Sequence, residues 1–424
     1  MSPLKIAVIG AGSSYTPEII EEIQRRRDRF PAAQITLMDI DPERLEIMLG
    51  FCRRFATHLG CDIRIEATAD RREALLGARF VLTQIRVGGN AQRILDEKIP
   101  LKYDVIGQET TGPGGMFKAL RTIPPMVEIA RDMEDICPEA WMINYANPTG
   151  MIAEAVANHT NITIAGLCAG GNFPRDHTVE ALGVAPEDVS YNYFGLNHLN
   201  FGYNLRIKGI PLTDEAYDKV LAVATWGSVA PELIRILRLV PSPYLPYYFH
   251  RDRTIKDARE KPLSRGEQVQ LVEKEVFDAY ADLSQETKPE ALKKRGGGGY
   301  SEIALDVMEA AYNNQDKVIV INTPNQGAVP HLPDDAVIEV PCLVNASGIS
   351  PLHQPDIPKT VWGLVAAVKN YEQLTVEAAL SGSRESALLA LLAHPLVGDY
   401  EKSATLLDEM LAANQRFLPQ FAAS

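Results

Sequence analysis

The sequence predicts an α/β protein, with a doubly wound parallel sheet over residues 1–167 and an α+β region over residues 168–424. Three observations lead there. Short apolar runs alternate with helical patterns through the first half. The first run ends in a glycine turn that opens a helix. After about residue 170 the rhythm changes to aromatic and β-branched segments broken by turn residues.

The elements follow in order. LKIAVIG is a short buried strand, and TPEIIEEIQRRRDRF places Ile19, Ile20 and Ile23 at helical spacing. ITLMDI, the alternating DIRIEAT and FVLTQI are further strands, with the polar helix DPERLEIMLGFCRRFATHL after the first of them. WMINY and ITIAGL are two more buried strands around the helix GMIAEAVANH. Beyond them YNYFGLNHLNFGYNLRI reads as antiparallel strands, and LVPSPYLPYYFHRD leads into the charged helix RGEQVQLVEKEVFDAYADL. KKRGGGGY is a turn or a close backbone approach, KVIVINTP and AVIEVPCLV are strands, and the remainder is largely helical. The two parts are expected to share an interface with a cleft.

Composition narrows the function. The 424 residues carry 42 Lys and Arg against 55 Asp and Glu, a net charge of −13 that disfavours nucleic acid and anionic membranes as partners. No apolar run approaches the ~18 residues of a membrane span. The opening MSPLKIAVIG runs straight into a strand, so no secretory leader is expected. Cys52, Cys61, Cys137, Cys168 and Cys342 are odd in number and scattered, which fits a reducing cytoplasm rather than a disulfide framework.

Gly10-Ala11-Gly12 closes the first strand and opens the first helix, continuing as Ser13-Ser14-Tyr15. The third glycine of the dinucleotide fingerprint is missing, but the strand, turn and helix context is that of a Rossmann-like fold. Two glycines let the backbone approach a pyrophosphate, and the helix N-terminus supplies N–H donors. Asp39 ends the second strand, with Asp41 just beyond, where a carboxylate accepts from a ribose hydroxyl, so NAD is favoured over NADP.

Four further segments are dense in functional residue types. One joins Arg86, Asn90 and Arg93 to a long polar loop with Glu109, Thr110, Thr111 and Gly-Pro-Gly-Gly, which reads as poor packing material and good backbone-donor material. Asn144-Tyr145-Ala146-Asn147-Pro148 ends a parallel strand, where such sheets place ligand contacts. Cys168 ends ITIAGLC and His198 lies in FGLNHLNF; by themselves these are ordinary core features as well as a possible two-residue metal site. The tyrosines Tyr244, Tyr247 and Tyr248 beside prolines read as packing.

Taken together, IRVGG, DEKIPLKY, IGQETTGPGG, NYANPTG, GLC, FGLNHL, YLPYY and VINTPNQGAVPHLPDDAVIEVPC resemble glycoside hydrolase family 4 across nearly the whole chain. These are NAD- and divalent-metal-dependent glycosidases on a lactate/malate dehydrogenase-like superfold, and the likeness is nearest to 6-phospho-β-glucosidases. The resemblance implies a redox route in place of two carboxylates. NAD oxidises C3 of the sugar, a base removes the acidified C2 proton, the glycosidic oxygen leaves by elimination, water adds, and the hydride returns. It implies Cys168 and His198 as ligands of a divalent ion, most simply Mn²⁺, Tyr244 as the base, and Glu109 as its support. It further implies Arg93, Asn147 and Arg265 as sugar contacts, and Gly10, Gly12, Ser13, Ser14, Asp39 and Arg86 as dinucleotide contacts. A homodimer or homotetramer acting on a small phosphorylated sugar is expected by the same resemblance.

One departure is local. Cys168 is followed by Ala169-Gly170-Gly171, which carries neither the acid of the α-glycosidases nor the Asn-containing run usual in the β-type. The anomeric preference therefore stays open, and because Arg93 and Arg265 suit any anion, so does the sugar's charged group: phosphate, carboxylate, sulfonate or none. A hydroxy-acid dehydrogenase or a non-enzymatic NAD-responsive module would share the glycine turn, but neither uses Cys168, His198 and the tyrosines.

Overall fold

The computed structural model describes residues 3–168, 170–225, 228–296 and 299–422, so Ala169 lies outside the described residues. The strands are β1 (Leu4–Ile9), β2 (Ala32–Met38), β3 (Arg64–Thr68), β4 (Phe80–Thr83), β5 (Trp141–Asn144), β6 (Ile164–Gly166), β7 (Val189–Leu196), β8 (Leu199–Ile207), β9 (Ile210–Pro211), β10 (Val240–Pro241), β11 (Lys317–Pro324), β12 (Val337–Asn345) and β13 (Gly348–Pro351).

Among the described residues, nine strands form one sheet in the order β13-β12-β11-β6-β5-β4-β1-β2-β3. From β3 to β6 every pairing is parallel, which buries both faces and explains the near-continuous apolar runs of β1, β4 and β5. The chain direction of winding reverses between β1 and β4, the switch point at which such sheets bind ligands. The doubly wound sheet is therefore as expected. What pattern alone did not reveal is that β11, β12 and β13 extend the same sheet with antiparallel pairing, β11 lying against β6. A smaller antiparallel sheet of β7, β8, β9 and β10 packs against β12 through β7. A single apolar cluster runs through both parts.

The polar-loop expectation around Glu109 is corrected. Arg93 lies on a helix, Gly89–Leu101, and the glycine cluster forms the first turn of another, Gly112–Ile136. The glycines are there for packing: a Cβ on Gly114 would lie 2.5 Å from the Gln108 carbonyl oxygen, and one on Gly115 would lie 2.3 Å from the Thr110 carbonyl carbon. Only the short connection between the two helices is irregular. A buried bidentate pair, Arg121 to Asp96 at 2.6 and 3.0 Å, locks them together and fixes the residues they present.

Candidate active site

The dinucleotide side is built from β1 and β2. Gly10 has φ +87°, a left-handed conformation that glycine adopts freely, and the Gly12 N–H donates to Asp39 Oδ2 at 2.7 Å. A Cβ on Gly12 would approach that same carboxylate oxygen to 2.8 Å, so the residue type and the Asp39 contact require each other. Arg44 closes the turn from the far side by donating to the Gly12 carbonyl at 3.0 and 2.7 Å. Ser13 accepts from the Tyr15 N–H at 3.4 Å. Ser14 is fully buried and its hydroxyl has no hydrogen-bond partner, an orphan donor beside a glycine cradle that fits a bound dinucleotide.

Across the sheet edge stands a charge cluster. Glu109 Oε2 accepts from Arg86 and from Lys118, both at 2.8 Å, and Arg93 approaches Oε1 to 3.5 Å. Burial pushes the Glu109 carboxyl up, but Lys118, Arg86 and Arg93 outweigh it and hold the group well below the usual carboxylate range. Lys118 is nearly inaccessible; burial and the neighbouring Arg86 push its ammonium down to about 7, against the pull of Glu109. Arg93 also donates to Glu97 at 2.8 Å, and Glu97 in turn accepts from the Gly266 N–H at 2.7 Å. That bond places Arg265, the first residue of the helix Arg265–Ala281, beside the cluster. The exposed Arg265 guanidinium itself turns to the Arg295 carbonyl, toward the side occupied by Tyr15. Asn147 is half-buried just beyond the end of β5.

Cys168 is half-buried, two residues beyond the end of β6. All five cysteines are described, and none is in a disulfide. His198 sits in the tight turn between β7 and β8, is 4% exposed, and has φ +67°. Burial drives its pKa down to about 3, so the imidazole is neutral, the form that binds a metal. Its buried Nδ1 has no hydrogen-bond partner. Tyr244 stacks on the His198 ring at a centroid distance of 3.8 Å and an interplanar angle of 11°, and on Tyr247 at 6.0 Å. Cys168 and Glu109 both bear electrostatically on the Tyr244 phenol, and Glu109 and Lys118 on His198, so these residues share one neighbourhood. Burial first, then Cys168 and Tyr247, push the Tyr244 phenol up, a direction that a bound cation opposes. Among the described residues no three His, Cys, Asp or Glu side chains form a group that could hold an ion together.

The expected site residues thus fall into two adjoining groups. Cys168, His198, Tyr244, Glu109, Arg86 and Arg93 share one neighbourhood and Gly10, Gly12, Ser13, Ser14 and Asp39 form the cradle behind β1, whereas Asn147 lies past the end of β5 and the Arg265 side chain turns to the Arg295 carbonyl. Lys118 and Tyr300 were missed, and Tyr247 was read as packing. Lys118 follows the glycine cluster by one helical turn, a signal hidden by reading that cluster as loop. Tyr300 follows the run of glycines and also faces Cys168 and Tyr244 electrostatically.

The chain is 40% identical to the probable 6-phospho-beta-glucosidase of Bacillus subtilis (strain 168), with 99% of this chain and 98% of that protein covered. It is 37% identical to the 6-phospho-beta-glucosidase of Escherichia coli (strain K12), covering 99% and 97%. The crystal structure of the 6-phospho-beta glucosidase from Thermotoga maritima with manganese, NAD+ and glucose-6-phosphate superposes with a TM-score of 0.89 at 34% identity, covering 98% of this chain and 99% of that one. A lactate dehydrogenase shares the fold at a TM-score of 0.56. Residues 5–181 match the family described as family 4 glycosyl hydrolase and residues 193–397 match its C-terminal domain, so the chain belongs to glycosyl hydrolase family 4.

Proposed function

We propose that the protein hydrolyses a 6-phospho-β-glucoside with NAD and a divalent metal ion as cofactors, residues 1–167 holding the dinucleotide and residues 168–424 most of the metal and sugar site. The observation that carries this reading is a neutral, buried His198 with an orphan Nδ1, stacked against Tyr244, whose phenol also feels Cys168 just beyond the end of β6 in the dinucleotide-type sheet. Ordinary glycosidase chemistry needs two carboxylates roughly 5–9.5 Å apart, one of them carrying a proton. Glu109 is held ionised by three cations and cannot be that acid. The manganese, NAD+ and glucose-6-phosphate of the Thermotoga maritima structure support the same set of ligands for this chain.

Cys168 and His198 are the residues that would hold the ion, and the glycine cradle with Asp39 would hold NAD. When bound, NAD supplies reversible oxidation at C3 of the sugar and the ion acidifies the neighbouring C2 position. Tyr244 takes the C2 proton on its phenolic oxygen and carries it while the leaving group departs. Glu109 keeps Lys118, Arg86 and Arg93 in place, and the cluster presents a positive rim in a chain whose overall charge is negative. Arg93, Asn147 and Arg265 contact the sugar and its phosphate, for which the guanidinium fork is suited. By the same reading the enzyme works in the cytoplasm, where Cys168 stays reduced, as a homodimer or homotetramer. No helix among the described residues is long and apolar enough to cross a membrane.

The reading is tested with 4-nitrophenyl β-glucoside 6-phosphate after dialysis against chelator. Hydrolysis is expected to require both added NAD and Mn²⁺, with no net NADH formed. Full activity without either contradicts it. Preference for the unphosphorylated glucoside, or for the α-anomer, revises the substrate and leaves the redox chemistry standing.

A further inference from the structure

His198 occupies a position that the chain must be made to adopt. It is a non-glycine residue at φ +67° in the turn closed by the Leu196–Leu199 pair, a left-handed conformation that side chains other than glycine adopt only when their surroundings enforce it. The residues on either side of it are tied to one group. Glu339, on β12 of the large sheet and 1% exposed, accepts from Asn197 Nδ2 at 3.2 Å through Oε2 and from Asn200 Nδ2 at 2.7 Å through Oε1. The Tyr193 hydroxyl on β7 donates to Oε1 at 2.7 Å, and Asn322 on β11 donates to Oε2 at 3.0 Å. The carboxyl group therefore takes four neutral donors, three of them from the hairpin that carries His198, and burial with neutral donors, not a cation, sets its titration. Burial pushes the Glu339 carboxyl up against the pull of its donors, and without its oxygens the buried Tyr193, Asn197, Asn200 and Asn322 donors would lose their acceptor, so the contact is kept at a cost that a purely apolar packing role does not require.

We propose that Glu339 is a positioning residue for the metal site: by gripping Asn197, Asn200 and Tyr193 it holds the turn in register and aims the His198 imidazole at the ion. This rests on the reading that Cys168 and His198 hold a divalent metal. Partners that orient a metal-binding histidine typically account for ~10–100-fold in metal affinity.

The test measures binding rather than turnover. Mn²⁺ affinity of the full-length protein is read from the electron paramagnetic resonance signal of free Mn²⁺, and NAD affinity from quenching of protein fluorescence. Glu339→Gln, which keeps the shape but turns an amide donor toward two existing donors, is expected to weaken Mn²⁺ about 10-fold or more with NAD affinity within about twofold. Should Glu339→Gln fail to fold, Tyr193→Phe removes a single donor from the carboxylate, and about a threefold loss in Mn²⁺ affinity is expected. His198→Ala separates the two claims. If it binds Mn²⁺ as well as the unmodified protein, the metal reading falls. If it loses Mn²⁺ while Glu339→Gln, or Tyr193→Phe in its stead, binds unchanged, the metal reading stands and the positioning role is overturned.

Discussion

Replacing Tyr244 with phenylalanine is expected to lower kcat for the aryl glucoside phosphate by ~10²–10⁴-fold, the usual worth of a positioned general base. The substitution is local by construction. The phenyl ring keeps the stack on His198 at 3.8 Å and on Tyr247 at 6.0 Å, so only the hydroxyl is lost. NAD and Mn²⁺ affinities should therefore stay within about threefold, and KM should change far less than kcat, because an interaction made only in the transition state is removed. A Tyr244→Phe enzyme that turns over normally would remove Tyr244 from the chemistry. A variant that lost Mn²⁺ as well would make it a support for His198 instead.

Glu109→Gln should have the second-largest effect, and on two observables. It leaves Lys118, Arg86 and Arg93 crowded around an amide that can neutralise none of them. Removing one partner from a buried ion pair costs about 3–5 kcal/mol; the lower end applies here because the Glu109 side chain is 17% exposed. Thermal unfolding should report that loss at pH 6. The sign of the pH dependence follows from Lys118, whose ammonium burial already pushes down to about 7. Without Glu109 it falls further, so the folded variant carries a neutral lysine while the unfolded chain keeps a charged one up to its ordinary pKa. The unfolded state then binds more protons, stability rises with pH, and the deficit relative to the parent should shrink between pH 6 and pH 9. In the parent, the depressed Glu109 pKa acts in the opposite window: its contribution is complete above the ordinary carboxylate pKa and is lost as pH falls toward the folded value. A deficit that grows with pH would refute the assignment of charges in the cluster. Activity should fall with stability corrected for, since Arg93 loses one of its two anchors.

Much of this architecture was legible in the residues. The apolar runs of β1, β4 and β5 and the glycine turn behind β1 declare a parallel sheet, and the Asp39 position follows from the same spacing. What stayed hidden had a physical cause in each case. The helix Gly112–Ile136 contains Pro124 and Pro125 and opens on a glycine cluster, so local propensity argues against the helix that packing enforces. The joining of β11, β12 and β13 to the parallel sheet is a pairing between distant segments that no local pattern encodes. Glu339 stood in plain view as one acidic residue in the apolar strand AVIEVPCLV, but its use depends on donors from β7, β8 and β11. Tyr244 read as packing because a tyrosine beside prolines usually is; its stack on His198 appears only when β10 brings Tyr244 beside the β7–β8 turn.

The central claim is that this cleft takes a proton from C2 of the sugar. Hydrolysis of 4-nitrophenyl β-glucoside 6-phosphate in D₂O, with NAD and Mn²⁺ present, tests it most directly. Mass and NMR analysis of the product sugar phosphate should show deuterium at C2, with protium retained at C3 because the hydride leaves and returns without meeting solvent. A product that keeps its C2 protium through complete turnover would contradict the account.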